Sequence, residues 1–271
     1  MSITDHDSID GQERAITQAK KYGINYVAGV ELNVTLQYNG GRISAKSHQD
    51  EPGKSPVSPR SVSLDFLGYR YDINNQELKI KLQLMREHRE SRARQILENL
   101  NTEFDKENIP RFSGHDIEKI SAGVFGALGR PHIAKYLVEK GIVRDIQEAF
   151  DKYLVKCDVP KYPLSLAEAS RLIRNAGGVL VHAHPNDSQG TSLVAITSNL
   201  DEQTSVIEEY VLDYIDGIEC WHSRHDTTTT EHYLDFARKH RLLMTGGSDC
   251  HQKPIIMGTL DMPGFVADQF R

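Results

Sequence analysis

Three short runs, GGVLVHAHP (177–185), DGIECWHSRH (216–225) and TGGSDCH (245–251), each pass from small and β-branched residues into a cluster of histidine and aspartate, with helical patterns between them. This rhythm constrains the fold more than any other feature. Helices that separate successive strands leave those strands parallel, and parallel strands deliver their carboxyl ends to one face of a barrel or sheet. Ser165-Leu-Ala-Glu168 is a capping box that opens a helix ended by Gly177-Gly178, and the spacing predicts further helices over 206–212 and 230–240. Towards the start, Ser8 caps a predicted helix over 9–22, followed by strands over 24–30 and 62–69 and a long helix over 77–100 whose Ile80, Leu84, Ile96, Leu97 and Leu100 can face a core.

Two segments break the rhythm. Residues 37–60 are rich in Gly, Ser, Pro and charge, the composition of a poorly ordered surface loop. Helical patterns near 115–121, 131–140 and 146–154 follow one another without strands, which predicts an all-helical insertion at 85–158 in a barrel made of 1–84 and 159–271.

Composition removes several classes of function. With 38% hydrophobic and 26% charged residues over 271 positions, the chain can bury a sizeable core and is not disordered. A net charge of −6 argues against a broad surface for duplex nucleic acid or anionic membrane. No apolar run approaches a membrane span and no signal-peptide pattern is present, so a cytoplasmic protein is expected. Cys157, Cys220 and Cys250 are odd in number and contain no C-x-x-C pair, so free thiols are expected rather than disulfides or a thiolate metal site.

The 12 histidines are the feature that composition leaves unexplained. His6, His184 and His251 with Glu31, Asp65 and Asp249 supply imidazole nitrogen and carboxylate oxygen, the ligand set of hydrolytic metal centres that use Mn²⁺, Fe or Zn²⁺. Six candidates exceed the roughly three protein ligands of one open catalytic site, so more than one ion is expected. Guanidinium forks match phosphate oxygens, which makes Arg89, Arg92, Arg130 and Arg224 candidate substrate-binding residues, with His132 and His225 beside them. Arg86 and Arg94 are read as surface. His182 lies two residues before His184 on the same predicted strand face and is expected to pack rather than ligate.

The stretches ITDHDSIDG (3–11), GVELN (29–33), LGYRYD (67–72), GRPHIAKYLVEKG (129–141) and the three runs above, in this order, resemble the PHP (polymerase and histidinol phosphatase) domain family. The resemblance is strongest to its branch of nucleoside 3',5'-bisphosphate phosphatases and 5'-3' exonucleases. It implies a distorted (β/α)7-type α/β barrel with up to three metal ions, Mn²⁺ first and Zn²⁺ or Fe²⁺ as alternatives. His6, Glu31, His184, Asp249 and His251 match family ligands, while Asp65 stands where the branch usually has His.

A strand bearing His-x-His and a downstream Asp, expected by the family before TDHD, is missing, because the sequence starts at Met1 immediately before that motif. A start upstream of Met1 is the expectation carried forward, and a divergent chain with a depleted site is the other reading. An open barrel edge would need cover, for which a homodimer is expected. The function implied is hydrolysis of a small nucleotide phosphate or of a single-stranded nucleic-acid 5' end, with His225 and Arg130 as catalytic residues. Two alternatives stand beside it: an amidohydrolase-type C–N hydrolase, and a metal-depleted member that binds a nucleotide or a partner without turnover.

Overall fold

The computed structural model describes residues 1–39, 59–122, 128–251 and 255–270. In chain order the elements are α1 (Gln12–Lys21), β1 (Gly29–Tyr38), β2 (Arg60–Tyr69), α2 (Gln76–Glu107), α3 (Gly114–Ala122), α4 (Arg130–Glu139) and α5 (Ile146–Ala149). They continue with α6 (Leu166–Asn175), β3 (Val179–His182), α7 (Leu200–Val206), β4 (Gly217–His222), α8 (Thr227–His240), β5 (Leu243–Gly247) and α9 (Phe265–Asp268). Among the described residues, no helix is long and apolar enough to cross a membrane. The chain divides into two compact units, one of Met1–Thr4, Gln12–Leu78 and Leu164–Arg271, the other of Asp5–Gly11 and Lys79–Pro163.

The first unit is a mixed α/β structure on a five-stranded sheet of order β1-β2-β3-β4-β5. β3, β4 and β5 are parallel, as the strand–helix rhythm predicts, but β2 pairs antiparallel with both β1 and β3. The reason is local: β1 and β2 follow one another without an intervening helical pattern, and strands joined without a crossover pair antiparallel. β1 also starts and ends later than the predicted 24–30, so Gln37, Tyr38 and Arg60 are strand rather than loop. The rest of the expected loop, 40–58, lies outside the described residues.

Cross-strand partners divide the sheet into two faces. Glu31 opposes Leu67, Asn33 opposes Asp65, Leu67 opposes Val181 and Glu219 opposes Thr245, which gathers the polar strand residues on one face. The other face carries Val30, Leu32, Val34, Leu64, Phe66, Leu180, Ile218 and Cys220, all at 1% exposure or less. α6 packs there through Ile173, whose Cδ1 lies where a Cβ on Gly68 would be, 2.5 Å away. The Ser165 hydroxyl accepts the Glu168 N–H at 3.2 Å, as the capping box predicts, and Gly177, at φ +78°, follows the helix in the left-handed conformation that glycine tolerates.

Gln12 ties the start of α1 to the sheet. Its side-chain amide donates to the carbonyls of Ile3 (2.9 Å) and Gly29 (2.8 Å) and accepts the Tyr26 hydroxyl at 2.9 Å. The anchor sits two residues before Glu31.

The second unit has a helical core of its own. Ile96, Leu97, Leu100 and Phe104 of α2 are buried with Ile133, Leu137, Tyr153 and Leu154, and Phe104 meets Phe112 and Tyr153 edge to face. Each such aliphatic side chain contributes about 1.5–3 kcal/mol by leaving water. Ile80 and Leu84, predicted to face a core, are instead 61% and 47% exposed. The buried stripe at the start of α2 runs instead through Leu78, Leu82 and Met85.

Candidate metal centre

Carboxylates accumulate on the polar face of the first unit's sheet and at the adjoining strand ends. Glu31, Asp65, Asp187 and Glu219 are each 5% exposed or less. The side chain of Asp249 is 19% exposed. Buried charge of one sign is costly unless an opposite charge or a metal meets it. Among the described residues of the unit, Arg224, His184 and His251 face this group.

Glu31, third residue of β1, and Asp65, midway along β2, bring carboxylate oxygens within 4.8 Å of each other. The Asn33 amide donates to Asp65 Oδ1 at 2.5 Å, which orients that carboxylate. His184 Nε2 lies 3.1 Å from Glu31 Oε1, and the His184 backbone N–H donates to Glu219 Oε2 at 2.8 Å. Burial alone disfavours charge on His184, but the Glu31 contact and the carboxylates of Glu219 and Asp65 outweigh it and push the imidazole up to about 9. Burial pushes the Glu219 carboxyl up to about 8, opposed by His184 and assisted by Glu31 and Asp249.

Asp187, His222 and Asp249 place one ligand atom each within 4.8 Å of the others. Arg224 spans the two carboxylates: Nε and Nη2 donate to Asp187 at 2.8 and 2.6 Å, and Nη2 also donates to Asp249 Oδ2 at 2.7 Å. His251 Nδ1 lies 3.2 Å from the other oxygen of Asp249. His184 and Asp249 both hold positive φ, +25° and +47°, where non-glycine residues store about 1–3 kcal/mol of strain. That two candidate ligands are strained in this way fits a backbone shaped by the site.

The imidazole partners fix tautomers. His225 Nδ1 faces the Cys220 carbonyl at 3.0 Å, so it carries the proton and leaves a lone pair on Nε2. His222 Nδ1 accepts the Arg224 N–H at 3.3 Å, so its proton is on Nε2. Burial, reinforced by His225, His184 and Arg224, lowers His222 to about 4, and burial lowers His225 as well. His184 Nδ1, His222 Nε2, His225 Nε2 and Thr245 Oγ1 are all buried without a hydrogen-bond partner. Orphaned buried nitrogens and oxygens beside excess carboxylate fit the donor chemistry of a site for cations and a polar ligand.

His182 does not share the direction of His184. It stacks on Phe66 at 4.9 Å on the apolar face, and burial lowers it to about 3. The chain leaves the strand after His182, which turns His184 away. Gly246 and Gly247 lie within β5, and a Cβ on Gly247 would stand 2.9 Å from Glu219 Oε1. At Gly246 a Cβ would stand 2.7 Å from the Trp221 carbonyl oxygen, and this close approach of backbone is what requires glycine there.

The remaining candidates, His6, Arg89, Arg92, Arg130 and His132, belong to the second unit. His6 lies between Asp5 and Asp7, and Asp7 holds φ +50°. Arg89 grips Asp7 through Nε at 2.6 Å and through Nη2. Arg92 and Arg130 converge on Asp158, Arg130 at 2.7 Å, and the His132 ring accepts the Gly129 N–H at 3.1 Å. Sequence reasoning missed Asp187 and Glu219 and gave His222 no role. Asp187 stands three residues after His184 in HAHPND, and Glu219 alternates with Gly217 on β4. Period-two alternation was the signal that would have put Glu219 on the face of Glu31.

No protein-family model matches the chain. A 3',5'-nucleoside bisphosphate phosphatase of Chromobacterium violaceum is 27% identical over 272 residues, covering 93% of this chain and 76% of that one. A 5'-3' exoribonuclease of Escherichia coli is 25% identical, covering 93% and 75%. Among solved structures, a Bifidobacterium adolescentis protein assigned as a metal-dependent phosphoesterase superposes with TM-score 0.71 at 26% identity, over 99% of this chain and 83% of that one. An amidohydrolase of C. violaceum with bound sulfate superposes with TM-score 0.66 at 26% identity, over 97% and 81%.

Proposed function

We propose that this chain is a metal-dependent phosphoesterase of the PHP type, a hydrolase acting on a nucleoside 3',5'-bisphosphate-like nucleotide or on a nucleic-acid 5' end. The observation that carries the reading is the group of buried carboxylates Glu31, Asp65, Asp187 and Glu219, with the partly exposed Asp249, beside imidazole nitrogens that lack partners. Glu31, Asp65 and His184 would hold one divalent ion, and Asp249 and His251 would contribute to another. His6 is read as a further ligand. A bound divalent ion, with Mn²⁺ the first choice, supplies Lewis acidity and lowers the pKa of its water to about 7.

The chain's own residues would do the rest. Arg224, held by Asp187, presents a guanidinium to the non-bridging oxygens of a phosphate. His225, kept neutral by burial and fixed at Nδ1 by Cys220, offers Nε2 as a proton acceptor and, once protonated, returns that proton to the leaving oxygen. Arg89, Arg92, Arg130 and His132, in the helical unit whose insertion we read over 85–158, are assigned to the substrate's outlying groups. The arginine fork of Arg224, which an amide substrate would not need, favours this reading over C–N hydrolysis.

The test is elemental analysis of the purified chain together with Mn²⁺-dependent phosphate release from a nucleoside 3',5'-bisphosphate. Bound metal with release supports the proposal. Absence of both, in protein shown to be folded, overturns it.

A further inference from the structure

Arg224 has more acidic neighbours than a phosphate-binding arginine needs. Its Nε and Nη2 use both oxygens of Asp187, which is 0% exposed, and Nη2 then reaches Asp249 as well. Nη1 has no hydrogen-bond partner among the described residues. Asp187 is held independently: Oδ1 accepts the Gln189 N–H at 2.9 Å, the Ser192 hydroxyl donates to its carbonyl at 2.6 Å, and its own N–H donates to the His184 carbonyl at 3.1 Å. Gly190 lets the loop close over it, since a Cβ there would stand 2.3 Å from Asp187 Oδ2. Asp249 is different, being more exposed and shared between Arg224 and His251.

We propose that Arg224 is a metal-coupled counter-ion: it neutralises Asp249 until a divalent cation takes that carboxylate, and Asp187 then retains the guanidinium so that its freed edge meets the substrate phosphate. Asp187 is therefore a positioning residue, and the inference rests on the metal reading above. A cation and a guanidinium cannot both use Asp249 Oδ2 at full strength, so metal binding and the Arg224–Asp249 contact oppose each other. The two-point grip by Asp187 sets how readily Arg224 lets go. Coupling of this kind runs in both directions, so cation binding also raises affinity for phosphate.

Substitutions at the two partners of this ion pair should shift Mn²⁺ affinity in opposite directions. Arg224→Gln removes the competitor, and Mn²⁺ affinity measured by calorimetry should tighten about tenfold while binding of inorganic phosphate in the presence of Mn²⁺ weakens about tenfold. Asp187→Asn weakens the grip and leaves Arg224 to Asp249, so Mn²⁺ affinity should fall about tenfold and phosphate binding should weaken too. A purely structural ion pair would move Mn²⁺ affinity in the same direction in both variants. Should Arg224→Gln fold poorly because Asp187 is left buried and unpaired, the double variant Asp187→Asn/Arg224→Gln removes both charges and should bind Mn²⁺ as tightly as Arg224→Gln is expected to. Mn²⁺ affinities that shift together, or a double variant weaker than wild type, overturn the inference and leave the phosphoesterase reading standing. No Mn²⁺ binding by wild type or any variant overturns both.

Discussion

In metal-free protein, replacing Glu219 by glutamine should remove a large part of an alkaline loss of stability. The carboxyl is 3% exposed and burial holds it protonated to about pH 8, against an ordinary value of 4.5. The folded state therefore binds this proton more tightly than the unfolded chain does. The stabilisation is complete below about pH 4.5 and is lost as pH rises to about 8. At about 1.36 kcal/mol for each pH unit of that rise, the ceiling is about 5 kcal/mol. His184, pushed up to about 9 from 6.5, loses its own stabilisation in the same sense between those two values, and the pair shares one electrostatic environment. A share of about 3 kcal/mol is expected for Glu219 alone. Urea unfolding of EDTA-treated wild type and Glu219→Gln at intervals from pH 5 to pH 8.5 measures it. The wild type should weaken steadily with rising pH and the variant much less, so that the gap between them changes by about 3 kcal/mol across the range. Parallel pH profiles would refute the assignment of a proton to Glu219.

Gly247→Ala should lower both stability, by about 1–3 kcal/mol, and Mn²⁺ affinity, because the new Cβ meets Glu219 Oε1 at 2.9 Å and Glu219 in turn holds the His184 backbone; unaltered calorimetry would show that Glu219 moves aside freely. Gln12→Leu removes four hydrogen bonds at the entry to β1 and should cost about 3 kcal/mol in urea unfolding, with a change below about 1 kcal/mol counting against its anchoring role. Thiol titration of the native protein should find Cys250 reactive and Cys157 and Cys220 slow, since both are buried and burial pushes Cys220 up to about 12; rapid modification of Cys220 would contradict the packing of β4.

The second half of the first unit was legible because its signals are local. Short strand runs that lead into His and Asp, together with helices capped by Ser165 and Asp226, specify β3, β4, β5, α6 and α8 with little competing interpretation. The reversal of β2 has only a negative cue, the lack of a helical pattern between β1 and β2, which is weaker than the positive signals of the later strands. The chemistry followed the same division. His184, Asp249 and His251 announce themselves as polar residues at strand ends, whereas Asp187 and Glu219 look like an ordinary loop aspartate and an ordinary strand glutamate until burial and partners are known. A carboxylate in sequence carries no mark of whether it meets water or a guanidinium.

The reversed strand is also what assembles the candidate centre. Because β2 runs against both neighbours, β1 runs in the direction of β3, β4 and β5, and the register sets Asn33 beside Asp65 where the Ala183 N–H donates to the Asp65 carbonyl. Asp65 thus stands level with the carboxyl end of β3 although it lies in the middle of its own strand. Glu31 stands two residues earlier on β1, on the same face, within reach of His184 as the chain leaves β3. In an all-parallel arrangement a mid-strand aspartate would be buried far from the strand ends and its charge would have no use. A residue two positions along from Asp65 in either direction keeps the face but loses the level, and a shift of one residue in β2 would send the carboxylate to the apolar face with Leu64 and Phe66. The β1–β2 register is therefore as much a determinant of the site as the identity of its ligands.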